Sequence, residues 1–396
     1  MIFSREPLKE ANGIKRFTEH SYYWGINSRE EMQAFLERAR IGNFEEEESR
    51  FWEHPKMKTY ANQWQRADFL FVLPLSADAT VLDLGSGYGN NTIPLARYYK
   101  RVVAADATHE LLEYNSLRAA SEGIKNIDFV NIDPLEYANL PFEPKSFDAI
   151  IVSGLLEWIG PGRLDVPPNV SQQKALDYLK TLLKDDGILY IAIENRWFPG
   201  FFLRDPHSKL KFTSILPRPL ADRYARAQGH TDGYRTYIYS SWSYRRMLKK
   251  AGFLQTDFYF PYPNYRNPSG ILSDEPGIQE YLYTHGHLKE FFTPKWTIFL
   301  RCARFFGLHT FFLSSFMMIA SSRSAKQLPF ILRKAREQGV SQILENDIII
   351  RIIDASRADR AHFLVFHAGE GKPYGHLFVT HNPKTEQEQQ VVFESV

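Results

Sequence analysis

Three glycines at alternate positions, Gly85, Gly87 and Gly89, follow the apolar run 80–84, with Asp83 just before them and Ser86 among them. Glycine tolerates positive φ and lets a ligand approach the backbone, and a helix that starts after such a loop presents free N–H groups. Two more acids end the next two apolar runs: Asp106, about 20 residues beyond Gly85, and Asp133. The spacing Gly-x-Gly-x-Gly differs from the Gly-x-Gly-x-x-Gly that cradles a diphosphate. A carboxylate at Asp83 would repel a diphosphate but hold a cationic amino group. Asp106 could accept from two ribose hydroxyls, and Asp133 from an exocyclic amine. Each acid alone could equally cap a helix. Together, an amine, a diol and an aromatic amine without a phosphate describe S-adenosylmethionine.

The elements that must position these residues read as alternating strands and helices. Strands are expected at 80–84, 101–105, 127–131, 147–153 and 187–193, and helices near 91–99, 109–122 and 171–183. The strands are continuous apolar runs, as expected of a parallel sheet covered on both faces. Residues 1–70 read as a helical, aromatic-rich cap. An irregular insertion at 196–239 follows the fifth strand, then a helix at 241–251, a strand at 253–260 and a second insertion at 261–295 containing a helix at 277–292. The last strand is expected at 312–321 in preference to 296–301. Residues 71–322 would form one α/β domain, with 323–396 a small appended α/β unit: a basic helix, then strands at 348–353, 362–366 and 376–380.

The chain has 396 residues, 48 basic and 46 acidic, leaving a formal charge of +2. That balance lacks the clustered basic excess of a nucleic-acid binder and argues against such a substrate. Cys302 is the single cysteine, so neither an intrachain disulfide nor a cysteine-rich zinc site is expected. The start of the chain has no signal-peptide core. The run 305–320 is rich in Phe, Leu and Met but shorter than the roughly 20 residues of a spanning helix. It reads as a buried core element, with peripheral membrane contact left open, in a cytoplasmic protein.

The stretch VLDLGSGYGN resembles the first motif of the class I S-adenosylmethionine-dependent methyltransferases, VVAADA the second and FVNIDPLEY the acidic third. FDAIIVSGLLEWI is similar to the fourth strand and turn of members acting on small or lipid-linked substrates. The resemblance implies a doubly wound, mostly parallel, Rossmann-like sheet of seven strands, the last antiparallel. It also implies that Asp83 and Gly85–Gly89 surround the methionyl part, Asp106 the ribose, and Ile132 and Asp133 the adenine, with Ser86, Ala107 and Ser153 completing the lining. More narrowly, LYIAIENR, residues 234–252 and residues 263–268 resemble bacterial methyltransferases associated with surface polysaccharides.

Methyl transfer to a hydroxyl or amine needs an aligned nucleophile, exclusion of water and removal of a proton. The acceptor is expected beyond the fourth and fifth strands, and Glu157 and Glu194 are the first candidates to orient or deprotonate it. Glu157 could instead orient its turn, and Glu194 pair with Arg196. His207 and His230 are candidate bases, since histidine titrates near neutrality. Arg218, Arg223 and Arg235, with Tyr234, Tyr237 and Tyr239, could form a lid over an anionic or sugar-bearing substrate, or simply pack. Trp24, Tyr60 and Trp64 could wall the other side, burial being the alternative. No Asn/Asp-Pro-Pro-aromatic stretch follows the fourth strand, Cys302 is remote, and no acid cluster is evident there. Base methylation, cysteine chemistry and a metal site are therefore not expected. The expected function is methylation at O or N of a small-molecule, sugar or lipid-linked acceptor. The alternatives are another transfer on the same fold, or an idle cofactor-binding scaffold.

Overall fold

A computed structural model describes residues 2–53, 64–274, 293–323, 328–344, 348–352, 360–367, 372–380 and 391–395. The first half of the chain runs β1 Lys9–Ala11, β2 Ile14–Arg16, α1 Arg29–Ile41, α2 Phe44–Trp52, β3 Thr80–Leu84, α3 Thr92–Tyr98, β4 Arg101–Asp106, α4 His109–Ser121, β5 Ile127–Asn131, β6 Phe147–Ser153, α5 Pro168–Leu182 and β7 Leu183–Glu194. The second half runs α6 Pro199–Leu203, α7 Arg218–Ala227, α8 Ser241–Lys250, β8 Gln255–Tyr262, β9 Gly270–Ser273, α9 Pro294–Phe305, β10 Ser315–Ser321, α10 Phe330–Glu337, β11 Ile348–Ile352, β12 Arg360–Phe366, β13 Gly375–Thr380 and β14 Val391–Ser395.

All these strands form one sheet in the order β1-β2-β5-β4-β3-β6-β7-β10-β8-β9-β11-β12-β13-β14. Within it β5-β4-β3-β6-β7-β10-β8 is the expected seven-stranded, doubly wound unit. Its first five strands are parallel, and β10 runs antiparallel to both neighbours. Strand order reverses between β3 and β6, so the loops leaving their carboxyl ends diverge around a crevice, the usual ligand site of such sheets. Apolar runs build the central strands: Val81, Leu82, Val102–Ala105, Ala149–Val152 and Ile188–Ile193 are all buried. Helices on both faces bury both sets of alternating side chains.

The N-terminal segment is not wholly helical, because β1 and β2 form a hairpin that adds β2 parallel to β5. Ser28 caps α1 reciprocally with Glu31. Helices α1 and α2 then pack Phe35, Phe44 and Phe51 around Tyr114 of α4. The insertion 196–239 is partly helical, and residues 296–301 lie in helix α9 rather than in a strand. The run 305–320 is not one buried element. Phe305 and Phe306 are 86% and 71% exposed where Gly307 (φ +67°) ends α9, and sustained burial begins at Leu313 and β10. The C-terminal strands continue the main sheet through β9, where Arg351 lies opposite Ile271. Phe363, Val365, Leu377 and Val379 share a buried cluster with Phe71 and Tyr98. The helix expected at 277–292 lies outside the described residues. Among those described, no helix is long and apolar enough to cross a membrane.

Candidate functional site

The glycine loop leaves β3 with all three glycines at positive φ, between +52° and +79°. A Cβ on Gly89 would stand 2.3 Å from Asn115 Oδ1 of α4, and one on Gly85 would press on Leu155. A Cβ on Gly87 would meet nothing within 4 Å, so that glycine leaves its space open toward the crevice. Asp83 is buried behind the loop. Its Oδ2 accepts from Thr92 Oγ1 at 2.6 Å, while its Oδ1 has no partner. Burial pushes its carboxyl up to about 6, against the pull of Thr92 and the charge of Arg66. Ser86 Oγ beside it is also buried and unpartnered. A lone cationic amino group would complete Asp83, and the absence of a phosphate charge fits this acid.

Asp106 turns its carboxylate back onto the loop, accepting from the N–H of Gly87 at 2.9 Å and of Thr108 at 2.8 Å. Burial raises its pKa, and these backbone donors oppose the rise. Ala107 and Ile132 are buried on either side, with Asn131 Nδ2 donating to the carbonyls of Asp106 and Ala107. Asp133 is already engaged: Oδ1 accepts from Leu135 N–H, and Oδ2 lies 2.7 Å from His20 Nδ1. Its expected role toward an adenine amine would have to share those partners. His20 belongs to a strap that crosses the carboxyl ends of β5 and β4. Tyr22 bridges Thr108, Trp24 N–H donates to Thr108 Oγ1, and Ile26 N–H donates to Tyr88 OH. Trp24 thus stands near Asp106. Tyr60 lies outside the described residues, as does the side chain of Trp64.

On the other side of the crevice the turn after β6 carries Ser153 and, through the 3-10 turn Leu156–Trp158, Glu157. Glu157 and Glu194, at the end of β7, are 1% and 5% exposed. His207, from the insertion, brings its Nε2 to 3.9 Å from Glu157 Oε1. Side-chain donors of the three residues lie within 4.8 Å of one another. Glu157 Oε2, Glu194 Oε2 and both ring nitrogens of His207 are buried without a hydrogen-bond partner. Burial, then the charge of Glu194, pushes the Glu157 carboxyl up to about 8. Burial works the same way on Glu194, but Arg266 and His207 outweigh it and hold that carboxyl below its usual range. For His207, burial lowers the pKa more than Glu194 and Asp205 raise it, which favours the neutral ring.

Three of the four expected acceptor-side residues therefore meet. His230 does not: its N–H closes the turn after α7 onto Ala225 O, beside Gly229 at φ +93°. Glu194 pairs with Arg266 at 2.5 Å and not with Arg196, which donates to the carbonyls of Ser214, Ile215 and Leu216. Arg235 staples the loop at Gly160, Pro161, Arg163 and Val166, and Arg218 stacks on Tyr237. Arg223 is exposed. Arg218 and Arg235 thus hold the insertion together, so for these two the packing alternative applies.

Sequence reading missed four contributors. Arg66 donates to Ser153 O at 2.9 Å, and its charge reaches both Asp83 and Glu157. Tyr265 and Arg266, from the β8–β9 loop, both donate to Glu194 Oε1. Asp205 stands 4.0 Å from His207 Nδ1. Only Asp205 left a trace in sequence, as an Asp two residues before the histidine. The expected absence of a metal-ligating set also needs correction, because the insertion folds His207 back onto two acids that are far from it in sequence.

Residues 82–191 match the family model described as a methyltransferase domain. The chain is 33% identical over 130 residues to a demethylmenaquinone methyltransferase of Clavibacter sepedonicus, covering 33% of this chain and 46% of that protein. It is 30% identical over 181 residues to a trans-aconitate 2-methyltransferase of Azoarcus sp. (strain BH72), covering 45% and 61%. It is 31% identical over 134 residues to a 23S rRNA (uracil(1939)-C(5))-methyltransferase of Haemophilus influenzae, covering 34% and 26%. The matches thus span from about a quarter to three fifths of these relatives.

Proposed function

We propose that this chain, which carries a class I S-adenosylmethionine-dependent methyltransferase domain over residues 82–191, methylates an oxygen or nitrogen of a small-molecule, sugar or lipid-linked acceptor. The observation that carries the proposal is the pairing of two incomplete polar sites across one crevice. On one side is Asp83 with its unpartnered Oδ1, and on the other the Glu157–Glu194–His207 cluster with four unpartnered atoms. Arg66 stands electrically between them.

S-adenosylmethionine supplies the activated methyl group when bound. Asp83 holds its cationic amino end, Asp106 and the Gly87 N–H line the ribose, and the strap through Tyr22 and Trp24 keeps water off the adenosine. Leu155, against Gly85, separates the cofactor side from Glu157 and sets the depth at which the acceptor enters. The unpartnered atoms of the cluster are mostly acceptors of hydrogen bonds, so they orient a hydroxyl or amine and stabilise the proton it sheds. The single cysteine, Cys302, is exposed on α9, which favours this chemistry over a cysteine-dependent route to a pyrimidine carbon. Among acceptor classes, exposed Phe305, Phe306 and Leu308, at the end of a helix on which Lys295 and Arg301 are also exposed, favour a lipid-linked one met at an anionic surface.

Incubating the chain with methyl-labelled S-adenosylmethionine and fractionated polar and lipid extracts tests the reading. The expected result is label in one fraction with matching release of S-adenosylhomocysteine, abolished by Asp83→Ala. Label found only in RNA would overturn the acceptor class.

A further inference from the structure

The methyl-transfer reading gives the buried lone pairs of Glu157, Glu194 and His207 an acceptor to orient, but it does not require two acids and an imidazole to stand within reach of one another. A buried polar atom without a partner is destabilising, and more so when charged, so a cluster of them in one place calls for a ligand. Three features narrow that ligand. All the free atoms come from two carboxylates and an imidazole, a set that accepts protons or binds cations. One donor atom from each of the three residues lies within 4.8 Å of the other two, a span that a single ion bonded at about 2.0–2.2 Å closes by side-chain adjustment. The second nitrogen of His207 faces Asp205, whose Oδ1 is fixed by the N–H groups of His207 and Ser208 and whose Oδ2 accepts from Tyr234 OH. Asp205 thus stands where the outer support of a metal-ligating imidazole is usually found, at 4.0 Å rather than in a hydrogen bond.

We infer that Glu157, Glu194 and His207 bind a divalent first-row transition-metal cation, such as manganese, iron, cobalt or zinc. Carboxylate and imidazole donors suit these ions, and the absence of thiolate disfavours a soft monovalent one. Arg266 and Tyr265 occupy Oε1 of Glu194 and leave Oε2 for the ion. Like-charge repulsion between the two buried acids is cancelled by a dication between them. Three protein donors leave coordination positions over, the pattern of catalytic rather than structural sites. The acceptor's oxygen or nitrogen is the natural occupant of such a position. Cation binding itself goes beyond the methyl-transfer reading and does not depend on it.

Cobalt(II) is a direct probe, because its visible absorption reports coordination. The full chain, stripped with a chelator, should take up one equivalent of cobalt, develop ligand-field bands and gain thermal stability. Glu194→Gln and His207→Ala should each weaken uptake at least about tenfold, the range found for supporting shells alone. His362→Ala should leave it unchanged, since that histidine sits against His376 in the C-terminal strands. S-adenosylmethionine binding by the same samples shows that the variants are folded and is read without cobalt, so failure of the cofactor reading is seen separately. The inference is overturned if the folded wild-type chain binds cobalt more weakly than about 1 mM. It is equally overturned if both site variants bind as tightly as the wild type.

Discussion

Asp83 shows how a single residue ties stability to ligand. Its carboxyl, buried with one oxygen unpartnered, is raised from an ordinary 3.8 to about 6. A folded-state pKa above the unfolded value means that the folded chain binds the extra proton between those pH values. Stability is therefore full below the unfolded pKa and falls as pH rises through about 6. A cationic amino group needs the ionised form, so cofactor affinity should drop up to tenfold per pH unit below about 6. Asp83→Asn should raise the melting temperature of the free chain at pH 7 while weakening the cofactor by about tenfold or more. Calorimetry across pH 5–8, paired with thermal melts, checks both signs; pH-independent affinity would remove Asp83 from the amino-group site. Asp83, Asp106 and Glu194 could be singled out as acids at the ends of apolar runs, Glu157 by its place in the turn after the fourth strand, and His207 only as a histidine of the insertion. Arg66 and Arg266 were not: an arginine in a turn or loop looks the same whether it faces water or a buried glutamate.

At the scale of elements, the central strands stand where their unbroken apolar runs put them, because burial on both faces leaves no alternation to misread. The short pieces at the rims were harder to see. Strands β1 and β2 have three residues each and few apolar side chains, and they exist by pairing rather than by their own pattern, β2 with β5 and β1 with β2. Of the C-terminal strands, β11 to β13 were legible and β14 was not, nor was their attachment to β9, since pairing partners are set by the whole sheet. Phe363 packs edge-on against Phe71 at 5.6 Å, and Phe330 N–H bonds to Leu73 O. Truncation after Arg323 should uncover the β9 edge and this cluster, giving aggregated protein on gel filtration. A soluble, cofactor-binding truncated chain would show that the extension is separable.

Over the whole molecule, the reversal of strand order between β3 and β6 brings Asp83 and Glu157 to one crevice, although 74 positions (157 − 83) separate them in sequence. The insertion after β7 and the β8–β9 loop close it from outside, bringing His207 to Glu157 and Arg266 to Glu194. The cofactor half could be read from local motifs because it is built from consecutive strand ends. The acceptor half could not be read in full, since it is assembled by long loops whose paths no periodicity encodes. The account stands or falls on that cofactor half. Calorimetric titration of the full chain with S-adenosylmethionine and, separately, with NAD tests it directly. The account predicts micromolar binding of S-adenosylmethionine alone, lost in a folded Asp106→Ala variant. Binding of NAD alone, or of neither, would contradict it.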